Sequence, residues 1–203
     1  MGIITDIQNQ KKNKNRVSIF VDGEFFCGLD LLSCQKHRLK IDQEVDTQKL
    51  TLAVFDSECN SAFEKSLGLI NSRMRSENEI AIYLKDKAYS SDIIDATIEK
   101  LKSYNYIDDS EFCRLYIESH RKSWGVKKIE YMLKMQKIDL EILAEAMQSL
   151  DTQAAEAHRL LVKFKGSKPF DKYKAYAHLA QKGFNSDCIK AAIRTLEEEI
   201  DSE

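Results

Sequence analysis

The sequence predicts a mainly α-helical protein in which three tandem three-helix repeats form an elongated, curved rod behind a small N-terminal module that contains a β-hairpin. Three observations predict it. One proline and seven glycines in 203 residues leave few helix breakers. The apolar residues change from alternating to helical spacing near residue 58. The chain after that point also repeats itself.

The N-terminal module is predicted to span residues 1–58. In RVSIFVDGEFFCGLDLL, apolar and polar residues alternate on both sides of Asp22-Gly23, a dipeptide that favours the positive backbone angles of a tight hairpin turn. Residues 16–21 and 24–29 are therefore predicted to be paired strands. GIITDIQNQ is compatible with a third strand before a KKNKN turn, and residues 30–58 have a helical, acidic composition.

Three repeats are predicted at residues 59–107, 108–150 and 151–203. Six positions recur in all three copies, at offsets of 49 and then 46 residues. One repeat alone can bury little apolar surface, so neighbouring repeats are expected to share a core. The matched sets are Leu84, Tyr89, Asp92, Ile94, Ile98 and Leu101; Leu133, Ile138, Glu141, Leu143, Met147 and Leu150; and Leu179, Phe184, Asp187, Ile189, Ile193 and Leu196.

Capping residues predict where the helices begin. Ser90, Asp139 and Asn185 occupy the same place before each third helix. Before the second helices, Ser76 forms a capping box with Glu79, and Gly125 and Asp171 hold the matching positions. The predicted first helices are 61–72, 109–122 and 154–165, the second 77–86, 126–136 and 172–182, and the third 91–103, 140–150 and 186–199.

Charge is concentrated in two basic runs, although the whole chain carries 31 basic and 33 acidic residues, a net charge of −2. Residues 121–137 and residues 159–174 each hold six basic residues and one acidic residue, which leaves +5 in each run. A single run of this kind is usually a solvated helix face. Two runs in corresponding parts of a repeat favour a binding surface, and any site for a polyanion is expected to be local to them.

The five cysteines are scattered and never form a C-x-x-C pair, so neither a disulfide framework nor a zinc site is predicted. Cys113 and Cys188 fall at apolar helical positions and are expected to be buried thiols. There is no apolar signal core and no apolar run long enough to span a membrane, so we expect a cytoplasmic protein with no membrane contact.

Three motifs resemble those of one protein family. They are R-x-R-S-E-N-E-I at 73–80, Y-I-D-D-S-E-F-C-R-L-Y-I at 106–117 and R-K-S-W-G-V-K-K-I at 121–129. Together with the tandem repeats, they resemble the signature of the RecX regulatory proteins, modulators of the RecA recombinase, over nearly the whole chain. The N-terminal segment with I-F-V-D-G-E-F looks like the extension found on Gram-positive members.

The sequence departs from the family pattern at three places. Cys113 stands where the family usually has alanine, Trp124-Gly125-Val126 replaces a loop that often carries proline, and the third repeat has no Asp-Asp pair. The resemblance implies a non-catalytic monomer, without cofactor or metal, that lies along the groove of the RecA filament. It would limit ATP hydrolysis, strand exchange and filament growth.

Two sets of functional residues follow from these observations. Ser76, Asp108 and Asp109 are expected to be structural caps. The carboxylate that caps the 109–122 helix, from Asp108 or Asp109, is expected to contribute about 1 kcal/mol. The basic end of the 109–122 helix would then face the partner, while Trp124 could equally be core or interface. The residues expected to bind the RecA filament, with weak single-stranded DNA contact, are Arg73, Arg75, Arg121, Lys122, Trp124, Lys127, Lys128, Lys163, Lys165 and Lys168.

Three alternatives stay open at this stage. Asp108, Asp109 and Glu111 could bind a cation in an enzyme, but helix capping explains these acids, and the four histidines lack ligand spacing. The repeats could be helix-turn-helix DNA readers, but Asp92, Glu141 and Asp187 at the starts of the third helices would repel phosphate. The chain could also be a helical scaffold for another partner.

Overall fold

The computed structural model describes residues 1–11, 13–148, 150, 153–166 and 169–202. Within these ranges the chain forms four strands and ten helices. It divides into two compact units, one of Met1–Arg75 with Ile80–Tyr106 and the other of Ser76–Glu79 with Ile107–Glu203. The mainly helical fold class with an N-terminal antiparallel sheet is confirmed.

The N-terminal sheet contains β1 (Gly2–Gln10), β2 (Asn13–Val21), β3 (Glu24–Asp30) and β4 (Glu44–Val45), in the order β3-β2-β1-β4. All neighbouring strands are antiparallel. Asp22 and Gly23 both have positive φ, 52° and 88°, as the predicted hairpin turn requires. The segment GIITDIQNQ, whose sequence is compatible with a third strand, forms β1. No sequence pattern predicted the short fourth strand, β4.

The turn predicted at KKNKN, residues 11–15, is wrong in its extent. Lys11 lies in a turn, residue 12 falls outside the described residues, and β2 has already begun at Asn13. Asn13 and Asn15 are exposed, and polar residues are tolerated at the exposed end of an antiparallel strand because that end borders no core.

A single helix links the sheet to the helical part of the chain. After the short α1 (Leu31–Lys36), α2 runs from Thr47 to Ile70, with Asp46 as its N-cap. The prediction of a first repeat helix beginning at residue 61 is therefore wrong, because that helix is the C-terminal part of α2. Leu50 and Ala53, near its start, pack into the core of the sheet. The predicted limits of the module and the repeats stay a prediction.

The remaining helices begin at the predicted residues and end within two residues of the predicted ends. They are α3 (Glu77–Asp86), α4 (Ser91–Ser103), α5 (Asp109–His120), α6 (Val126–Met135), α7 (Leu140–Gln148), α8 (Ala154–Lys165), α9 (Lys172–Gln181) and α10 (Ser186–Asp201). We call α2 to α4, α5 to α7 and α8 to α10 the first, second and third helical trios.

The repeat is visible in the cores of the trios. Leu84, Leu133 and Leu179, matched by sequence, are all fully buried. Cys113 and Cys188 are buried as expected. Burial raises the pKa of the Cys113 thiol to about 11, and the charges of Asp109 and Asp108 add to the shift, so this thiol stays protonated near neutral pH.

Each second helix ends in the same backbone geometry. Ala88, Lys137 and Gly183 follow α3, α6 and α9, and all three have positive φ, at 63°, 54° and 86°. Each donates its backbone N–H to the carbonyl three residues earlier, at 2.9 Å. A left-handed residue at this position ends the helix and turns the chain toward the next one.

Among the described residues, no helix combines the length and apolar character needed to cross a membrane.

Candidate partner-binding surface

The second and third trios meet where α9 ends and α6 begins. Gly125 donates its N–H to the Lys182 carbonyl at 2.9 Å, and Lys127 donates to the Gly183 carbonyl at 3.1 Å. The last carbonyls of one helix thus satisfy the first N–H groups of another, and the opposite ends of two helix dipoles meet. A Cβ at Gly125 would overlap the Gly183 carbonyl, so only glycine allows this approach.

The start of α3 is held at the corresponding place by side chains. The Ser76 hydroxyl accepts from the Glu79 N–H and donates to the Gln136 side-chain oxygen, each at 3.2 Å. The Asp109 carboxylate, only 8% exposed, accepts the Glu77 N–H at 2.9 Å. Asp109 therefore caps α3, a helix distant in sequence.

The N-cap of α5 itself is Asp108. Its carboxylate accepts the N–H groups of Ser110 and Glu111 at 2.8 and 3.3 Å. The Glu111 carboxylate in turn pairs with Arg114 at 2.7 Å. The carboxylates considered as cation ligands thus bind backbone N–H groups or an arginine. Within the described ranges, no group of three His, Cys, Asp or Glu residues is placed to hold a metal.

The loop between α5 and α6 is fixed through its carbonyl groups. The buried Gln153 donates its side-chain N–H groups to the carbonyls of Arg121 and Trp124, both at 3.1 Å. Arg159 of α8 donates to the Lys122 carbonyl. An amide and a guanidinium suit this loop because it presents acceptors, which a carboxylate would repel.

Aromatic rings stack along the same loop. The Tyr116 and His120 rings lie 4.3 Å apart, and the His120 and Trp124 rings 4.2 Å apart. The Lys128 ammonium lies 4.4 Å from the centre of the Trp124 ring, within cation–π range. Burial and the charge of Glu79 raise the pKa of Tyr116, so its hydroxyl stays neutral. Trp124 is half-buried, with its ring held between a histidine and a lysine.

Five of the predicted partner-binding residues come together at this loop. We call them the α5–α6 basic cluster: Arg121, Lys122, Trp124, Lys127 and Lys128. Lys122 and Lys127 are exposed, and Arg121 and Lys128 are half-buried. Residues 121–137 contain one acid, Glu130, and its carboxylate pairs with Lys134 at 2.6 Å. Glu130 therefore does not neutralise the cations of the cluster.

The other predicted residues lie elsewhere. Arg73 and Arg75 lie between α2 and α3, in the other compact unit, where Arg75 donates to the Ser72 hydroxyl at 3.1 Å. Lys163 and Lys165 lie in the last turn of α8. Lys168 lies outside the described residues.

Sequence reasoning missed the residues that hold the cluster in place. Gln153 and Arg159 donate hydrogen bonds to backbone carbonyls more than 25 residues away in the chain. Every residue has a backbone carbonyl, so no sequence pattern indicates which of them accept such bonds. The Tyr116–His120–Trp124 stack did have a signal, because its members are four residues apart and helical spacing brings such side chains together.

The geometry defines a helical-repeat protein with a small sheet at one end of the chain and a pre-shaped basic surface in its second trio. Comparison with known proteins identifies the family. Residues 2–46 match the regulatory protein RecX N-terminal domain, and residues 62–101 match the RecX first three-helix domain.

Curated relatives match over nearly the whole of this chain. Regulatory protein RecX of Bacillus licheniformis is 34% identical, with 99% of this chain and 80% of the relative aligned. Regulatory protein RecX of Clostridium beijerinckii is 31% identical, with 96% and 95% aligned. The chain belongs to the RecX regulatory protein family.

Solved structures support the fold. A crystal structure of regulatory protein RecX matches with a TM-score of 0.70 at 22% identity, over 94% of this chain and 98% of the other. RecX from Lactobacillus salivarius matches with a TM-score of 0.61 at 21% identity, over 69% of this chain and 97% of the other.

Proposed function

We propose that this protein binds the RecA–single-stranded DNA filament in a bacterial cytoplasm and inhibits its ATP hydrolysis, strand exchange and growth. It acts as a monomer, without a cofactor and without catalysis of its own. Family membership supplies the expected partner. The observation on the molecule that carries the proposal is the α5–α6 basic cluster, in which four cations and a tryptophan lie on the loop and the first turn of α6. Three side-chain hydrogen bonds hold this loop.

A fixed loop suits recognition of a large assembly. Ordering a flexible loop at an interface costs free energy that is subtracted from binding. Here Gln153 and Arg159 have ordered the loop before any partner arrives. Tryptophan and arginine are frequent among residues that dominate interface energies, and the cluster contains both.

RecA-dependent ATP hydrolysis on single-stranded DNA tests the proposal directly. With this protein titrated in, we expect the hydrolysis rate to fall. An unchanged hydrolysis rate at concentrations of this protein that saturate the filament would contradict the proposed function.

Replacing the four cations of the cluster tests the site. Arg121, Lys122, Lys127 and Lys128 are all changed to Ala, and inhibition should weaken while the circular dichroism spectrum stays the same, because surface changes usually alter stability by less than about 0.5 kcal/mol each. A matched control changes four lysines outside the cluster, Lys40, Lys49, Lys85 and Lys87, to Ala. Equal inhibition by both variants would place the binding surface elsewhere.

The helix-turn-helix alternative predicts different DNA binding. Asp92, Glu141 and Asp187 lie in the first turns of α4, α7 and α10, where a base-reading helix would approach phosphate. We therefore expect weak contact with bare single-stranded DNA that falls steeply with added salt. Tight, salt-independent binding to one DNA sequence would favour the alternative.

A further inference from the structure

A cleft between α9 and α10 lies outside the α5–α6 basic cluster and outside the residues selected by sequence. Its volume is about 620 Å³. Tyr173 and Tyr176 line it from α9, and Lys190, Arg194 and Glu197 line it from α10. Aromatic side chains thus face cationic ones across the opening.

The most exposed aromatic residue of the third trio stands at this cleft. Tyr173 is 90% exposed, and Tyr176, three residues later, is 40% exposed. Residues three apart lie on one side of a helix, so the two rings share a side of α9. Tyr173 is not required for the core, which leaves its ring faces available to a ligand.

The charges around Tyr173 favour an anion. Lys190 and Arg194 are one helical turn apart on α10, and no carboxylate of the described residues forms an ion pair with Lys190. Among the described residues, Arg194 pairs with Glu198 alone, and both side chains are mainly exposed, so this pair is weak. The one acid of the cleft, Glu197, is engaged by Lys172 at 3.1 Å.

A second cleft also has Tyr173 in its lining and is also basic. Lys165 and Lys174 are among its lining residues. Its acid, Asp171, caps α9 by accepting the Lys174 N–H at 3.1 Å, and its carboxylate also pairs with the Lys174 ammonium at 3.2 Å. Tyr173 therefore lines two clefts that both contain cations, and we call Tyr173 with these cations the Tyr173 ridge.

We propose that this ridge binds single-stranded nucleic acid, with a base stacked on Tyr173 and phosphates beside Lys190 and Arg194. Exposed aromatic rings next to cations are how proteins bind single strands without reading sequence. An acidic peptide fits less well. Acidic motifs are recognised by clusters of arginines, and the lining of this cleft holds one arginine, Arg194. A helical peptide needs an apolar groove, and the apolar residue of this cleft, Ile193, is only 3% exposed.

The inference deepens the weak DNA contact of the proposed function, and it rests on that function only for its biological setting. Binding to bare nucleic acid is therefore measured without RecA. Inhibition of RecA-dependent ATP hydrolysis is measured separately with the same proteins, so that loss of one property is distinguishable from loss of the other.

The experiment follows the fluorescence anisotropy of labelled dT and rU strands, each about 20 nucleotides long to exceed the site size of one binding module, with the full chain at low salt. Tyr173→Ala should weaken binding by about fivefold to a hundredfold, the range for loss of one stacked base. Tyr173→Phe should bind about as well as the unchanged chain, because its ring still stacks. Tyr131→Ala, which removes a 61% exposed tyrosine of α6, is the matched control and should change nothing.

A second variant tests the cations. Lys190→Ala with Arg194→Ala should make the negative slope of log K against log salt concentration shallower by about 1.4, at about 0.7 per phosphate contact on a single strand. Equal binding of dT and rU supports a site that reads only bases and phosphates. Unchanged binding by Tyr173→Ala overturns the proposal.

Discussion

The joint between α9 and α6 and the joint at the start of α3 do the same work with different chemistry. The first is made of backbone groups, because Gly125 and Gly183 let two helix ends touch. The second uses the Ser76 hydroxyl and the Asp109 carboxylate. The comparison teaches that a repeat can keep the position of a joint while changing the groups that form it.

The largest expected effects come from the buried leucine that each of the three trios has at the same position of the repeat. Leu84→Ala, Leu133→Ala and Leu179→Ala each remove a fully buried side chain, and each should lower the free energy of unfolding by about 2–5 kcal/mol. Urea denaturation followed by circular dichroism measures the loss. A near-zero loss in one trio alone would show that its core is not equivalent to the others.

Gly183→Ala tests the backbone joint. The new Cβ would overlap the backbone of Lys128, and the residue has a φ of 86°, which side chains rarely adopt. We expect a loss of about 2–4 kcal/mol in the same measurement, from left-handed strain and overpacking together.

The control is Gly68→Ala, in the C-terminal part of α2, where nothing lies near the added atom. It should raise stability by about 0.5–1 kcal/mol. Equal effects of the two substitutions would contradict the account of the joint.

Asp109→Ala tests the side-chain joint. It leaves the Glu77 N–H without its charged acceptor in a nearly buried place, and should cost about 1–3 kcal/mol. Asp108→Ala, which removes the exposed cap of α5, should cost about 1 kcal/mol. We therefore expect the loss of the buried Asp109 to cost more stability than the loss of the exposed Asp108. Thermal unfolding of the two variants measures both costs.

The smallest effect is a pH dependence in the third trio. Burial lowers the pKa of His178 below 6.5, the positive charge of Lys182 adds to this shift, and the ring stacks on Phe164 at 4.1 Å. The unfolded chain therefore binds a proton more readily than the folded one, so stability should fall as the pH drops through and below 6.5.

The same titration of His178→Phe, which keeps an aromatic ring beside Phe164, is the comparison. Its stability should change less than that of the unchanged chain between about pH 7.5 and about pH 5.5, the range in which an ordinary histidine titrates. An identical change in both proteins would assign the pH dependence to other groups.

Sequence patterns predicted the local features of this fold well. The Asp22-Gly23 turn and the N-terminal ends of α5, α9 and α10 depend on residues within a few positions of one another. The joints could not be predicted, because they pair groups far apart in the chain. Asp109 resembles any helix cap in sequence, and only the structure shows that it serves α3.

The function of the candidate site stays a prediction, and only the place of its residues in the fold can be compared with the sequence. Charge runs are visible in a sequence, and five of the chosen residues do meet at one loop. The role of Gln153 is invisible because its targets are carbonyl groups. Tyr173 was overlooked since its exposure, and not its identity, distinguishes it from a core tyrosine.

The continuous helix α2 limits how the length of this protein can vary among relatives. One residue inserted between Ala53 and Ala62 would rotate everything after it by about 100° and advance it by about 1.5 Å. Ala53 faces the core of the sheet, and Phe63, which follows Ala62, packs against Tyr104 and Tyr106 beyond α4. A change of that kind would turn one of these faces to solvent. Insertions and deletions should therefore collect in the loops and spare the 24 residues of α2.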